Sequence, residues 1–403
     1  NSVLPVLKEV KEKGDEALFH FTLMFDKIKI EKLQVLENEF DEAHKKVSKT
    51  LKESIQLAFD NISVFHQSQK SPVKKVETMK GVSCWRKSVA IDKVGLYVPG
   101  GTAPLFSTVL MLGTPAKIAG CREIILCTPP DSAGKINPAI LYAAKLVGVT
   151  KVFKVGGAQA IAAMAYGTES IPKTYKIFGP GNQFVTAAKQ LVTQEGVAID
   201  MPAGPSEVLV WADEFCSPEF VAADLLSQAE HGADSQVILV VDSVELANEI
   251  QTQLKEQLNQ LPRKSMAQQA LLNSSTLVFA EKNTALEFVN TYAAEHLIIA
   301  LKDAVKMADK ITNAGSVFIG NYSPESVGDY ASGTNHTLPT NGYAKAFSGV
   351  SLDSFVKKIT FQELKPKGLL ALGEAVMNMA EAEGLEAHKN AVQVRINKIK
   401  NKL

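Results

Sequence analysis

At 403 residues the chain exceeds one ordinary hydrophobic core, so two principal domains with small appendages are expected. Its 46% hydrophobic share is that of a soluble globular protein, and 43 basic side chains face 43 acidic ones, which leaves no electrostatic reason to expect nucleic acid or an anionic membrane as partner. No apolar run approaches the roughly 20 residues of a membrane span.

The start, Asn1-Ser-Val-Leu-Pro5, has no basic stretch leading into an apolar one, so no export signal is expected. No Met opens it, so part of the natural amino terminus is expected to be missing. Residues 1–90 are Lys/Glu-rich, with apolar spacings of three and four through Leu51, Ile55, Leu57, Phe59 and Ile62, which predicts mostly helix. From Val94 the texture changes to short β-branched or aromatic runs alternating with longer amphipathic stretches. Strands are predicted at 95–98, 123–127, 151–155 and 175–178, with crossover helices at 104–119, 137–146, 158–166 and 183–193. Repeated β-α units of this size predict a parallel sheet covered by helices on both faces.

A second series begins at Glu207, with strands predicted at 208–211, 236–241, 276–279, 297–300 and 316–319. The fold class is therefore α/β: two tandem Rossmann-like doubly wound parallel-sheet domains, a helical amino-terminal segment and a small helical carboxyl-terminal tail. Two such domains point to a ligand cleft at their strand carboxyl ends. The sheet signal stops after about residue 350, and 361–403 reads as two helices broken near Gly384. That tail is too short to bury a core of its own, so it must pack on the body or on another subunit. The domains are expected as 1–93 with 207–350, then 94–206, then 351–403.

Cys84, Cys121, Cys127 and Cys216 include no Cys-x-x-Cys pair. Cys121 and Cys127 flank the apolar run 124–126, where burial as small hydrophobes is expected. Reduced, cytoplasmic chemistry fits better than a disulfide framework.

Four of the seven histidines fall after residue 230, each near a carboxylate or carboxamide. Such pairings are the material of hydrolytic or redox sites, because imidazole ligates metals and moves protons near neutral pH. Gln228 and His231, three apart in a helical stretch, share one face and could share a cation. Alternatively His231 simply binds helix-end carbonyls ahead of Gly232. Asp329 on a Gly-rich loop and a later His favour the metal, since a zinc-like ion takes about four N/O ligands. No His-Glu-x-x-His is present, which disfavours a zincin protease.

Glu295-His296 opens a strand and could place a general base at a cleft edge, or could be a surface Glu with a half-buried His. The loop 328–340 is poor in aliphatic and dense in hydrogen-bonding residues, as a binding loop would be. Val98-Pro-Gly-Gly-Thr102 and Phe178-Gly-Pro-Gly-Asn-Gln183 each join a strand to a helix, where amides can cradle phosphate. Neither is Gly-x-Gly-x-x-Gly, so tight turns without a ligand explain them equally well. Met201-Pro-Ala-Gly-Pro-Ser206 links the two series and could present Ser206 to the cleft. On spacing alone a dehydrogenase, a zinc-dependent hydrolase and a two-lobed binding protein remain open.

Together these stretches resemble the histidinol dehydrogenase family. The resemblance is carried by Val94-Gly-Leu-Tyr-Val-Pro-Gly-Gly101, Phe178-Gly-Pro-Gly-Asn182, Met201-Pro-Ala-Gly-Pro-Ser-Glu207, Leu226-Ser-Gln-Ala-Glu-His-Gly232, Ala294-Glu-His-Leu297, Gly328-Asp-Tyr-Ala-Ser-Gly-Thr-Asn-His-Thr337 and Ala387-His-Lys-Asn-Ala391. It implies four-electron oxidation of L-histidinol through L-histidinaldehyde to L-histidine with two NAD and one Zn2+ per site. It further implies zinc ligands Gln228, His231, Asp329 and the partner subunit's His388, with Glu295 and His296 as acid–base pair. Substrate contacts would come from Ser206, Gln228, His231, His296, Asp329, His336, Glu383 and His388, and NAD contacts from Tyr97, Gln159 and Asn182. The implied assembly is a homodimer with shared sites, with NAD on 94–206, most metal and catalytic residues in 1–93 with 207–350, and dimerisation through 351–403. Against the resemblance the amino-terminal arm is expected to be shortened, which would bear on arm contacts rather than on the site.

Overall fold

The computed structural model describes residues 2–100, 104–202 and 204–401. Gly101 and Thr102 of the first glycine turn, and Ala203 of the linker, lie outside the described residues. The chain divides into two compact units, Asn1–Gln69 with Ile91–Phe355, and Lys70–Ala90 with Val356–Leu403.

Strands β1 (Lys75–Met79) and β2 (Val82–Ala90) precede the first parallel series. That series comprises β3 (Lys93–Tyr97), β4 (Glu123–Thr128), β5 (Lys151–Lys154), β6 (Lys176–Phe178) and β7 (Ala198–Ile199). The second comprises β8 (Glu207–Ala212), β9 (Gln236–Val241), β10 (Ser275–Val278), β11 (His296–Ala300) and β12 (Ser316–Ile319), and β13 (Val356–Leu364) follows. The sheet orders are β5-β4-β3-β6-β7 and β10-β9-β8-β11-β12, parallel throughout. Each is the doubly wound order, with its topological switch between the first and fourth strands of the series. Every residue of β8 and of β11 is buried, so their apolar runs lack alternation, as a sheet covered on both faces requires.

In the first half, the helices Leu4–Lys13 and Asp15–Phe21 supply Val6, Val10 and Leu18 to a core shared with Ile161 and Met164. On the other face Ile55 and Ile62, from the helix Lys49–Ser68, join Leu110, Leu126 and Ile140. The amino-terminal helices, grouped with 207–350 in the sequence reading, thus share their cores with 94–206. In the second half Val208 and Val210 pack on Leu225 and Ile250, while Leu209 and Leu297 pack on Val289 and Met307.

The expected cleft at the strand carboxyl ends needs correction for the second half. Ser206, Glu295 and His296 all stand at the amino edge of that sheet, at the starts of β8 and β11. The chain leaves the carboxyl end of β7 and enters β8 after residues 200–206 alone. Seven residues reach at most about 25 Å, so the amino edge of the second sheet is drawn beside the carboxyl edge of the first.

The second unit corrects two further expectations. Residues 75–90 are not helical, and the sheet signal does not end at 350. β1 and β2 form a hairpin whose Gly81 has φ +85°, and β13 pairs antiparallel with β2 from Val356–Ala90 to Leu364–Val82. Trp85 stacks on Phe361 across that ladder at 5.4 Å. The tail helices Pro366–Ala382 and Glu386–Lys400 are broken at Gly384, as expected, and pack on each other where Gly373 leaves room for Ile396. Among the described residues no helix is long and apolar enough to cross a membrane.

Candidate active site

A cleft of about 790 Å³ runs between the two sheet edges of the first unit. Its first wall is the turn after β6, Gly179-Pro-Gly-Asn182, with Asp200 and Met201; the opposite wall carries Ser206, His231, Glu295 and His336. Asn182 caps the helix Gln183–Thr193, its side-chain oxygen accepting from the amides of Phe184 and Val185. That cap points the helix amino end, with its positive partial charge, into the cleft.

Tyr97 lies behind this wall, linked to the start of the helix Gly157–Tyr166 that carries Gln159. Gly179 sits so close to Tyr97 that a Cβ on it would lie 2.0 Å from the Tyr97 carbonyl oxygen. The Tyr97 hydroxyl accepts from the Gly157 amide at 3.0 Å, and burial pushes its pKa up to about 12. Gln159 is 1% exposed and its Oε1 is buried without a partner. Of the three residues the resemblance assigns to NAD, Asn182 alone lines the cleft.

His296 is the hub of the opposite wall. Its Nδ1 donates to the Glu207 carbonyl at 3.3 Å and its Nε2 to Asp329 Oδ1 at 3.2 Å. Both partners are acceptors, so both nitrogens carry hydrogen. Burial opposes a charged ring, but Glu295, the Asp329 hydrogen bond and Glu325 outweigh it and raise His296 to about 10. Glu295 lies 3.7 Å from His296 Nδ1 and accepts the Glu207 amide at 2.9 Å. Burial lifts its carboxyl to about 7, against the pull of His296. The Glu207 main chain therefore orients both residues, one through N–H and one through C=O.

Asp329 lies in a short helix, Glu325–Tyr330, at the head of the Gly-rich loop rather than within it. Burial opposes its ionisation too, yet the His296 hydrogen bond and charge hold its carboxyl below the ordinary value. His336 donates from Nδ1 to the Asp329 carbonyl at 2.9 Å, and the Thr108 hydroxyl donates to its Nε2 at 3.1 Å. Burial lowers the pKa of this ring, with Asp329 pulling the other way.

Gln228 occupies the last turn of the helix Pro218–Ala229, and His231 follows it, its amide donating to the Gln228 carbonyl. His231 opens onto the cleft, but the protein crowded around it lowers its pKa, with Asp329 pulling the other way. Among the described residues no three His, Cys, Asp or Glu side chains stand ready to hold a metal by themselves. The implied shell draws only His231 and Asp329 from those types within this unit, and these two fit it. One is a depressed imidazole and the other an ionised carboxylate. Gln228 fits as well, being 1% exposed with its amide nitrogen buried and unpartnered. Amide oxygen and nitrogen exchange on a flip, so that orphan position suits a ligating oxygen.

Glu383 and His388 belong to the second unit, where both are exposed, Glu383 closing one tail helix and His388 in the first turn of the next. Sequence reasoning overlooked Glu207 and Glu325. Glu325 is 1% exposed, accepts the Ser227 hydroxyl at 2.7 Å, and burial raises it to about 8. Its signal was present: it stands four residues before Asp329, one helical turn away.

Two doubly wound sheets that bring a glycine turn at a helix amino end opposite a buried Glu-His-Asp group form the site of an α/β enzyme built to bind an anionic group and move protons. The match to the histidinol dehydrogenase family model over residues 1–396 shows that the chain belongs to that family. A histidinol dehydrogenase of Bacteroides fragilis is 61% identical over 400 residues, covering 99% of this chain and 94% of that protein. A chloroplastic one of Arabidopsis thaliana is 55% identical over 405 residues, covering 100% and 86%. The crystal structure of histidinol dehydrogenase from Elizabethkingia anophelis superposes with a TM-score of 0.98 at 57% identity, covering 99% and 92%. Membership removes support for the hydrolase alternative.

Proposed function

We propose that the cleft oxidises L-histidinol to L-histidine through L-histidinaldehyde, consuming two NAD and one water. The observation that carries this reading is the acid–base pair Glu295-His296, in contact with Asp329 and set across one cleft from the Asn182 helix cap. Gln228, His231, Asp329 and the partner subunit's His388 would hold one Zn2+. Bound there, zinc would orient the imidazole and amino group of histidinol and favour the alkoxide.

His296 takes the hydroxyl proton as the first hydride leaves for NAD. Asp329 helps to hold His296 protonated, and a cation held by that carboxylate would weaken this hold and favour the base form of His296. Glu295, near 7, then takes a proton from the water that adds to the aldehyde, and a second NAD accepts the second hydride. Ser206, His336 and Glu383 would contact substrate; Asn182 would contact NAD directly, while Tyr97 and Gln159, which do not line the cleft, would support that side of it from within. In this reading 94–206 is the NAD-binding half and 207–350 carries most of the chemistry. Residues 351–403 join two subunits into a homodimer with shared sites, and the unpaired cysteines suit a cytoplasmic setting.

The test is stoichiometry. Each histidinol consumed should yield two NADH and one histidine with little free aldehyde. One NADH per histidinol, with aldehyde accumulating, overturns the four-electron reading.

A further inference from the structure

Beside the glycine turn, in the same wall of the cleft, lies an ion pair that the proposed reaction does not use. Lys189, on the helix Gln183–Thr193, and Asp200, just after β7, have side chains only 5% and 1% exposed, and their charged groups are in contact. Burying two charges is costly unless the remaining donors and acceptors are also satisfied. Here they are satisfied by the turn. Lys189 Nζ donates to the Gly179 carbonyl at 2.9 Å, while Asp200 Oδ2 accepts the Gly179 amide at 2.8 Å. Asp200 Oδ1 also accepts the Met201 amide at 2.8 Å.

Both main-chain polar groups of Gly179 are thus fixed by one pair of opposite charges. Gly179 needs such fixing. Its φ is +127°, and it lies against the Tyr97 main chain with no space for a side chain. Asn182 follows three residues on.

We infer that Lys189 and Asp200 are positioning residues for coenzyme binding, a buried clamp that holds the Gly179–Asn182 turn in the shape the dinucleotide meets. The inference rests on the reading of this turn as the NAD site. Among the described residues the polar partners of Lys189 are Gly179 and Asp200, and it lines the cleft on the side of the glycine turn, so its loss should weaken NAD binding while leaving the histidinol side intact. The Asp200 side extends to Met201 and the linker that carries Ser206, so its loss should affect both substrates.

The test uses the zinc-loaded full-length enzyme and NAD titrated by calorimetry, alongside steady-state kinetics. Lys189→Met should raise the NAD Kd and KM by about tenfold or more, as a displaced positioning element does. The KM for histidinol and the zinc content should stay within about twofold. The variant strands a buried carboxylate and is at risk of misfolding. The double variant Lys189→Met/Asp200→Asn removes that lone charge, and should fold yet keep the NAD defect. Lys189→Arg, which retains charge and donors, should recover much of the affinity. A folded double variant that is less heat-stable but binds NAD with wild-type Kd overturns the inference. Failure of the wild-type enzyme to bind NAD at all overturns the underlying reading instead.

Discussion

On the proposed mechanism Glu295→Gln should separate the two oxidations, because it would remove the base for the water step while leaving its surroundings nearly unchanged. The carboxyl accepts the Glu207 amide at 2.9 Å through Oε2, and an amide oxygen in the same place accepts the same bond. Packing volume is conserved, and the site then buries a neutral group where a carboxylate was disfavoured. The function the proposal would have it lose is proton abstraction from the attacking water, a role worth on the order of 10²–10⁴ in rate, or about 3–5 kcal/mol of barrier. Supplied histidinaldehyde should therefore be oxidised about a hundredfold or more slowly, whereas the alcohol half-reaction, which relies on His296, should change by less than about tenfold.

The pH dependence has a definite sign. Glu295 is raised to about 7, so it is protonated and inactive as a base below that pH. Wild-type aldehyde oxidation should fall as pH drops through about 7, and the variant should lack that limb. Rapid-mixing measurements of NADH from histidinol and from histidinaldehyde, repeated across pH, read both effects. Equal losses in the two half-reactions, or an unchanged acid limb in the variant, would refute the division of labour.

If His388 completes the neighbouring subunit's site, His231→Ala and His388→Ala homodimers should each be inactive, and subunit exchange should restore about a quarter of wild-type activity. No recovery after verified exchange would place His388 in its own chain's site. Gln228→Leu should fold, since its amide nitrogen has no protein partner to lose. It should retain markedly less zinc after dialysis when metal is measured by atomic emission, and wild-type zinc content would remove Gln228 from the shell.

The parallel sheets were legible because their strands are short β-branched runs separated by helix-length amphipathic stretches, a local signal for which neighbours in sequence suffice. β1, β2 and β13 had no comparable signal. β1 is exposed along its whole length, and β2 mixes Trp85 and Val89 with Arg86, Lys87 and Ser88. The partner of β2 on its far side, β13, lies some 270 residues later. A strand stabilised by so distant a partner shows neither clean alternation nor a nearby turn to announce its pairing. The residues proposed for the site were singled out through motifs. Their electrostatics were not legible, because the roles of Glu207, Glu325 and Lys189 come from burial and from main-chain contacts that spacing does not encode.

The position of the cleft shows where such reading stops. The rule that ligands gather at strand carboxyl ends holds for the first half, where the Gly179–Asn182 turn leaves β6, and fails for the second, where Glu295-His296 enters β11. Each sheet taken alone has the same strand order, so topology alone predicts two equivalent carboxyl-edge sites. The short linker breaks that equivalence. It carries Ser206 across while holding the amino edge of β8 beside the end of β7, and Asp200 at its head ties it to Gly179. At the amino edge, main-chain N–H and C=O groups at strand starts are still available to side chains and ligands. Glu207 uses them on Glu295 and His296. Because Glu295 and His296 are both held by the Glu207 main chain, their geometry follows the packing of β8 more than rotamer preference, and substitutions of the Glu207 side chain should leave that geometry largely in place.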